Sequence, residues 1–191
     1  TSLVISPYII RNYVHFGEII ITKSFGYNLW KGNNKYSLVQ GNGDYDLHEL
    51  KDKVKNIKKD RYYEINRDNI FLLEAKNNLI QDPKRYFSLF IKKIFSFYFV
   101  DLNSTYPNYY NFFHIFPITL VSLLSFPGLY TFYNEKKIQN NYLLLYIILN
   151  IIIFSIFFIL PRYKLVILPL QIILASNFVK HLFYNTKMKI K

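Results

Sequence analysis

Two apolar stretches lie back to back near the end of the sequence. The first runs from Asn141 to Leu160, the second runs from Leu165 to Tyr184, and only Pro161-Arg162-Tyr163-Lys164 separates them. A helix of roughly 20 apolar residues crosses the roughly 30 Å hydrocarbon core of a bilayer and satisfies its own backbone hydrogen bonds there. The pattern therefore predicts two membrane spans, joined by a short turn that carries two basic side chains.

A third apolar stretch precedes this hairpin, and it completes a predicted three-helix transmembrane block over residues 109–186. The three spans are expected at about 112–133, 142–160 and 164–184, with a cytoplasmic tail at 187–191. Most of the charge lies between residues 11 and 108, which indicates a separate polar domain, mixed but mostly helical. The predicted fold class is thus a mainly α, polytopic membrane protein fragment.

Residues 1–10 are apolar but only half as long as a span. They contain neither an initiator Met nor the basic segment that begins a signal peptide. We interpret them as the end of a truncated transmembrane helix, so that the chain is the C-terminal portion of a longer multi-span protein. A short re-entrant or interfacial segment is the alternative.

Local patterns predict the elements of the polar domain at 11–108. Ile19 to Ile21, between two glycines, predict a short strand, and the stretch from about His48 to Ile80 predicts a helix that Asp82-Pro83 stops. Residues 84–100 predict a basic and aromatic helix in the lipid headgroup layer; a buried amphipathic helix of a soluble domain is the alternative. Its apolar side is predicted to consist of Phe87, Phe90, Ile91, Ile94, Phe95 and Tyr98.

The short lysine-rich segments predict the orientation in the membrane. Lys136 and Lys137 lie between the first two spans, and Lys187, Lys189 and Lys191 close the chain. With three spans these segments lie on one side, which the positive-inside rule makes cytoplasmic. Residues 11–108 and the turn at Arg162 are then extracytoplasmic.

The formal net charge of +12 does not by itself indicate a nucleic-acid partner. The chain is rich in Lys, Asn, Ile, Phe and Tyr, the mixture that AT-rich codons produce. The absence of cysteine excludes disulfides and thiolate metal sites. His48-Glu49 lacks the second histidine of a zinc-protease helix, and there is no phosphate-binding loop and no nucleophile elbow. No metal site is expected, and the catalytic residues cannot be assigned.

Arg162 and Lys164 lie in a short turn on the side where positive charge is disfavoured. They either extend to lipid phosphates as ordinary interfacial side chains or coordinate an anionic ligand at the membrane surface. Arginine offers a bidentate fork to phosphate oxygens, and lysine offers a point charge.

Four segments, in order, resemble bacterial GT-C membrane glycosyltransferases, the group related to dolichyl-phosphate-mannose-protein mannosyltransferases. The segments are Pro7 to Tyr13, Gly26 to Asn34 (GYNLWKGNN), Asp82 to Tyr86 with Lys93, and Arg162 to Leu165 with Pro169. They are similar to the family patterns P-W-x-x-R-N-Y, G-x-N-L-W-x-G-N-N, n-P-x-x-Y…K and R-Y-R-L-P-x-x-P. Tyr8 and Val166 depart from these patterns, at positions without an obvious charge or hydrogen bond.

The resemblance implies an enzyme of the bacterial inner membrane that transfers a sugar from a polyprenyl-phosphate donor to a lipid, glycan or protein acceptor. Cations at headgroup depth would stabilise the phosphate leaving group. The residues expected to bind the donor phosphate are Arg11, Lys93, Arg162 and Lys164. Those expected to contact the sugar or acceptor are Asn12, Asn28, Trp30, Asn33 and Asn34, although Trp30 is equally typical of an interfacial anchor.

The acidic catalytic residues of that family lie in a first extracytoplasmic loop, which this chain does not contain. No cofactor is expected here, and a divalent cation would belong to the missing part. Two non-enzymatic alternatives remain: a polytopic protein for surface-glycan transport or assembly, and a small membrane anchor. The half-span at residues 1–10 argues against the anchor.

Overall fold

In the computed structural model, the described residues are 2–21, 23–44, 50–105, 107–135 and 137–189, and their secondary structure is mainly helical, as predicted. The helices are α1 (Ser2–Phe16), α2 (Phe25–Gly32), α3 (Leu50–Lys55), α4 (Tyr63–Gln81), α5 (Pro83–Tyr98), α6 (Phe112–Asn134), α7 (Ile138–Ile156) and α8 (Leu168–Lys189). A 3-10 helix, Pro161–Val166, connects α7 to α8. The chain forms two units, Thr1–Tyr86 and Phe87–Lys191.

The first unit is built on the packing of α2 against α4. Trp30 of α2 is completely buried, and its ring centroid lies 4.9 Å from that of Phe71 on α4. The helices approach closely at Gly26, where a Cβ atom would overlap the carbonyl oxygen of Asp68. The Asp68 carboxylate accepts hydrogen bonds from the backbone N–H groups of Gly26, at 3.0 Å, and Tyr27, at 2.8 Å. It therefore caps the positive N-terminal end of α2.

The predicted strand at Ile19 to Ile21 is wrong, because no strand occurs in the described ranges. α1 continues through Pro7 to Phe16 and ends at Gly17, whose φ of 70° suits a residue without a side chain. The segment after it folds back, and the Asn12 amide donates to the carbonyl oxygens of Ile20 at 2.8 Å and Ile21 at 3.3 Å. These side-chain hydrogen bonds take the place of the backbone hydrogen bonds that a strand would make with a neighbouring strand.

The single helix predicted over residues 48–80 is two helices, α3 and α4. The interruption includes Asp60, whose carboxylate accepts from the Tyr62 N–H at 2.8 Å, a local bond that favours a turn. His48, the predicted start, lies outside the described residues. The predicted end is confirmed at Gln81, with Asp82 as the C-terminal cap.

Two helices in the second unit, α6 and α7, are long and apolar enough to cross a membrane. They match the first two predicted spans, although α7 ends at Ile156 and residues 157–160 are not helical. Two candidate spans are therefore found among the described residues and not the three predicted: α8 is a long helix, but it does not reach the same hydropathy. Its polar residues, Gln171, Asn177 and Lys180 among them, interrupt the apolar sequence.

α8 instead packs lengthwise against α6, and both run in the same direction. Gly128 permits this packing, since a Cβ atom there would overlap the carbonyl oxygen of Leu174 and lie 2.8 Å from its carbonyl carbon. Near the end of α6, Asn177 donates to Glu135 at 2.8 Å. Small residues commonly allow such close approach between helices in membranes.

α5 confirms the predicted helix at 84–100, but its most buried side differs from the predicted apolar side. The buried residues include Leu89, Lys93 and Phe97, and the Phe97 ring stacks on Phe154 of α7 at 5.3 Å. Phe87, at 68% exposure, and Ile91, at 48%, leave an apolar stripe facing outwards. Such a stripe is the side that a headgroup-layer helix would present to lipid.

Candidate functional site

The 3-10 helix Pro161–Val166, called here the basic turn, holds the Arg162-Tyr163-Lys164 sequence in a defined geometry. Pro161 occupies its first position, where the fixed φ of proline favours helix initiation. The Tyr163 ring stacks on Phe154 of α7, with centroids 4.9 Å apart. Arg162 is exposed, and its guanidinium carbon lies 5.7 Å from the Tyr163 ring. The turn thus presents arginine outwards while tyrosine anchors it.

Lys164 points the other way and is buried. Its amine donates to the carbonyl oxygen of Tyr98 at 2.9 Å, to that of Phe99, and to Ser122 Oγ at 2.9 Å. Tyr98 is the last residue of α5, so the amine lies at the negative end of that helix. Burial lowers the pKa of Lys164 from its usual 10.5 to about 7. The second basic residue of the motif therefore caps a helix and fixes the turn.

Lys93 plays the reciprocal role from α5. It is completely buried, and its amine donates to the carbonyl oxygen of Phe157 at 2.6 Å. Phe157 is the C-terminal cap of α7. Burial lowers the pKa of Lys93 to about 7 as well. Lys93 and Lys164 thus link α5, α7 and the basic turn through main-chain carbonyl groups.

Lys164 belongs to a buried polar cluster, which consists of Tyr98, Ser122, Ser125, Lys164 and Gln171. The Gln171 amide donates to the Tyr98 carbonyl at 2.8 Å, and the Tyr98 hydroxyl lies 2.9 Å from Ser125 Oγ. Burial raises the pKa of the Tyr98 hydroxyl, which therefore stays protonated. The cluster joins α5, α6, the basic turn and α8 in one hydrogen-bonded network.

The Lys164 amine is buried inside the second unit. Ser122, which it contacts, lies ten residues after Phe112, the first residue of α6, or about 15 Å along that helix. A buried amine is costly unless polar groups surround it. The three acceptors around the amine meet this requirement.

The other predicted phosphate ligand, Arg11, and the predicted sugar contact Asn12 are neighbours on α1. Arg11 is exposed, with its guanidinium carbon 6.0 Å from the Tyr8 ring. Asn12 is buried, and its amide is used to close the segment after α1. Only Arg11 of this pair is presented to a ligand.

The structure brings Asn28, Trp30, Asn33 and Asn34 together in and after α2, but most of them face inwards. The Trp30 ring lies in the core, so stacking on a sugar would require that core to open. The Asn33 amide donates to the Leu29 carbonyl at 2.9 Å, and the Asn34 amide donates to the Asn42 carbonyl at 2.6 Å. Asn28 is half-buried on α2. In this conformation the asparagines and the tryptophan organise the loop after α2.

Two residues with decisive contacts were not among the predicted site residues. Asp68 caps α2 across 42 positions, and Arg85 donates to the carbonyl oxygens of Asn34 at 3.2 Å and Lys35 at 2.8 Å. Arg85 lies within Asp82 to Tyr86, one of the segments that resemble the glycosyltransferase family, and this position could have marked it as a candidate residue. Asp68 carries no local signal, because its partners are distant in the sequence.

Across the described ranges, no group of three or more His, Asp or Glu side chains is placed to hold a metal ion. No family model, curated protein or solved structure matches the chain in comparisons with known proteins.

Proposed function

We propose that this chain is part of a membrane glycosyltransferase that takes a sugar from a polyprenyl-phosphate donor and passes it to a lipid, glycan or protein acceptor. The sequence resemblance to GT-C enzymes supports the proposal. The observation that carries it is the position of Arg162, the exposed cation of the basic turn. An outward-facing arginine on an anchored turn is well suited to bind a phosphate oxyanion.

The anchoring of the basic turn explains how Arg162 would act. Tyr163 stacks on α7, and Lys164 is bonded to the end of α5, so the main chain on the C-terminal side of Arg162 is held by two side chains. Among the described residues no carboxylate pairs with Arg162, so its charge remains available to an anion. In sugar transfer the phosphate gains charge as the glycosidic bond breaks, and a guanidinium carried on an anchored turn would stabilise that charge.

The remaining predicted cations divide into two roles under this proposal. Lys93 and Lys164 would be positioning residues, because their amines are buried against carbonyl oxygens. Arg11 is exposed on α1 and stays a proposed second phosphate ligand.

The proposed location is the bacterial inner membrane. With α6 and α7 as spans, the segment between them, which ends at Lys137, lies on one side. The positive-inside rule makes that side cytoplasmic. The basic turn, which follows α7, would then lie towards the extracytoplasmic face, where polyprenyl-phosphate sugars would be used.

Sugar transfer measured in membranes that contain the full-length natural protein tests the role of Arg162. Arg162→Ala should reduce transfer from a polyprenyl-phosphate sugar at least tenfold, because loss of a charge-assisted contact costs about 1.5 to 3 kcal/mol. Arg61→Ala is a matched control, since Arg61 is also exposed and also lies over the following tyrosine, at 4.7 Å. Unchanged transfer by Arg162→Ala, with the protein still in the membrane, would refute the phosphate role.

A further inference from the structure

Two adjoining cavities lie in the second unit, beside the C-terminal half of α6. The larger, of about 610 Å³, is an apolar groove between α5, α6 and α7. The smaller, of about 490 Å³, is a polar pocket between the end of α6 and α8. Tyr130 lines both cavities, so the groove and the pocket adjoin at this residue. Together they form a site with one apolar and one polar part.

The size of the groove indicates what can occupy it. Its walls are hydrocarbon and aromatic side chains such as Ile91, Phe126 and Ile148. Two turns of a helix about 10 Å wide occupy roughly 850 Å³, more than the groove offers. A single flexible hydrocarbon chain fits this volume, and the groove lies between two helices apolar enough to contact lipid.

The charges of the polar pocket favour an anion. The Glu135 carboxylate accepts from Lys137 at 2.9 Å, from Asn177 at 2.8 Å and from Asn140 at 3.3 Å. These hydrogen bonds, that from Lys137 first, lower the pKa of Glu135 to about 2, so it stays ionised and its charge is balanced by Lys137. Lys180 also lines the pocket and is exposed, and none of the described carboxylates pairs with it. The pocket therefore has one positive charge in excess.

We propose that these two cavities bind one anionic membrane phospholipid, with its phosphate beside Lys180 and one acyl chain in the groove between α5, α6 and α7. Tyr130 would lie at the junction of headgroup and chain, a common place for tyrosine at membrane interfaces.

The polar pocket of this lipid site lies away from the proposed donor site, although Tyr98, whose carbonyl group accepts from Lys164, lines the groove. Glu135 lies thirteen residues after Ser122, the residue beside the Lys164 amine, or about 20 Å further along the chain direction of α6. A polyprenyl-phosphate donor bound at Arg162 would have its phosphate near the basic turn and not in the polar pocket. The site would therefore hold a resident lipid, whether or not the chain transfers sugar.

Native mass spectrometry of the full chain in mild detergent tests the proposal, with dioleoyl phosphatidylglycerol and dioleoyl phosphatidylcholine as probes. The unchanged protein should retain one phosphatidylglycerol in preference to phosphatidylcholine. Lys180→Gln should weaken phosphatidylglycerol binding about fivefold and leave phosphatidylcholine binding unchanged, since one lysine near a lipid surface contributes about 1 kcal/mol. Ile148→Trp should fill the groove and weaken the binding of both lipids.

The control for the groove is Ile153→Trp, because Ile153 is also exposed on α7 but does not line the groove. Equal retention of both lipids by the unchanged protein would overturn the proposal, as would normal retention by Ile148→Trp. Displacement of phosphatidylglycerol by an equal concentration of polyprenyl phosphate would also overturn it. If circular dichroism shows that Ile148→Trp does not fold, the exposed Lys180→Gln variant still tests whether Lys180 recognises the lipid phosphate.

Discussion

Replacement of Gly128 by alanine tests whether α6 and α8 pack as closely as the structure shows. In an isolated helix the change should stabilise by about 1 kcal/mol, because glycine is a poor helix former. Here the new Cβ atom would overlap the Leu174 carbonyl oxygen and lie 2.8 Å from the carbonyl carbon and 3.2 Å from the Leu174 Cβ. Main-chain atoms cannot rotate away as a flexible side chain can, so the helices would have to separate.

Overpacking of this kind costs about 1 to 3 kcal/mol, so after the gain in helix propensity the expected net change is a loss of up to about 2 kcal/mol. For a chain of this size such a loss lowers the melting temperature by up to about 8 °C. Circular dichroism during heating in detergent measures the shift. Leu123→Ala, at a position that is 57% exposed on the same helix, is the control for a change at an exposed site of α6.

The direction of the shift decides the outcome, because helix propensity and steric overlap predict opposite signs. A raised melting temperature for Gly128→Ala would refute the close approach of α6 and α8. Leu174→Ala should not rescue the variant, since the main-chain overlap stays in place.

Three further predictions concern the caps, the buried lysines and the orientation. Asp68→Asn should destabilise the first unit by about 1.5 to 3 kcal/mol, because the charge-assisted cap of α2 is lost. Denaturant titration followed by Trp30 fluorescence measures this loss of stability. An equal loss in Glu64→Gln, at an exposed position on α4, would contradict the capping role of Asp68. Burial lowers the pKa of Lys164 to about 7, so between about pH 7 and 10.5 this group binds more protons in the unfolded state than in the folded state. Lys164 should therefore make stability rise with pH by up to about 1.4 kcal/mol per unit, and Lys93, whose pKa is also about 7, should add a similar amount. Melting at pH 7.5 and 9.5 measures the rise, Lys164→Met should reduce it, and a fall would count against a buried amine. The chain lacks cysteine, so Asn42→Cys and Lys136→Cys can be labelled selectively, and labelling from the same face of the membrane would disprove the topology.

The long apolar stretches were sufficient to predict α6 closely and α7 in part. A helix in these segments follows from local composition, because any continuous apolar stretch must satisfy its own backbone groups when it leaves water. The same holds for the end of α4, where Asp82 and Pro83 stop the helix at Gln81. The prediction of a strand at Ile19 to Ile21 was wrong because a strand needs a neighbouring strand to pair with, and the local sequence cannot specify that partner.

The roles of the basic and polar site residues followed from tertiary contacts instead. Local periodicity placed Lys93 among the polar residues of α5, yet it is buried against the end of α7, 64 positions away. Trp30 lies among turn-forming residues that resemble a sugar-binding motif, yet its ring packs on Phe71.

The apolar hairpin and its basic turn were thus evident from the sequence, because hydrophobicity and charge are properties of each residue. Whether Arg162 or Lys164 faces outwards was decided by the fold. The carbonyl groups at the end of α5 are brought to the turn only when α5, α6 and α8 pack together. A buried amine is stable only beside such acceptors, so their position selects Lys164 for the interior and leaves Arg162 exposed.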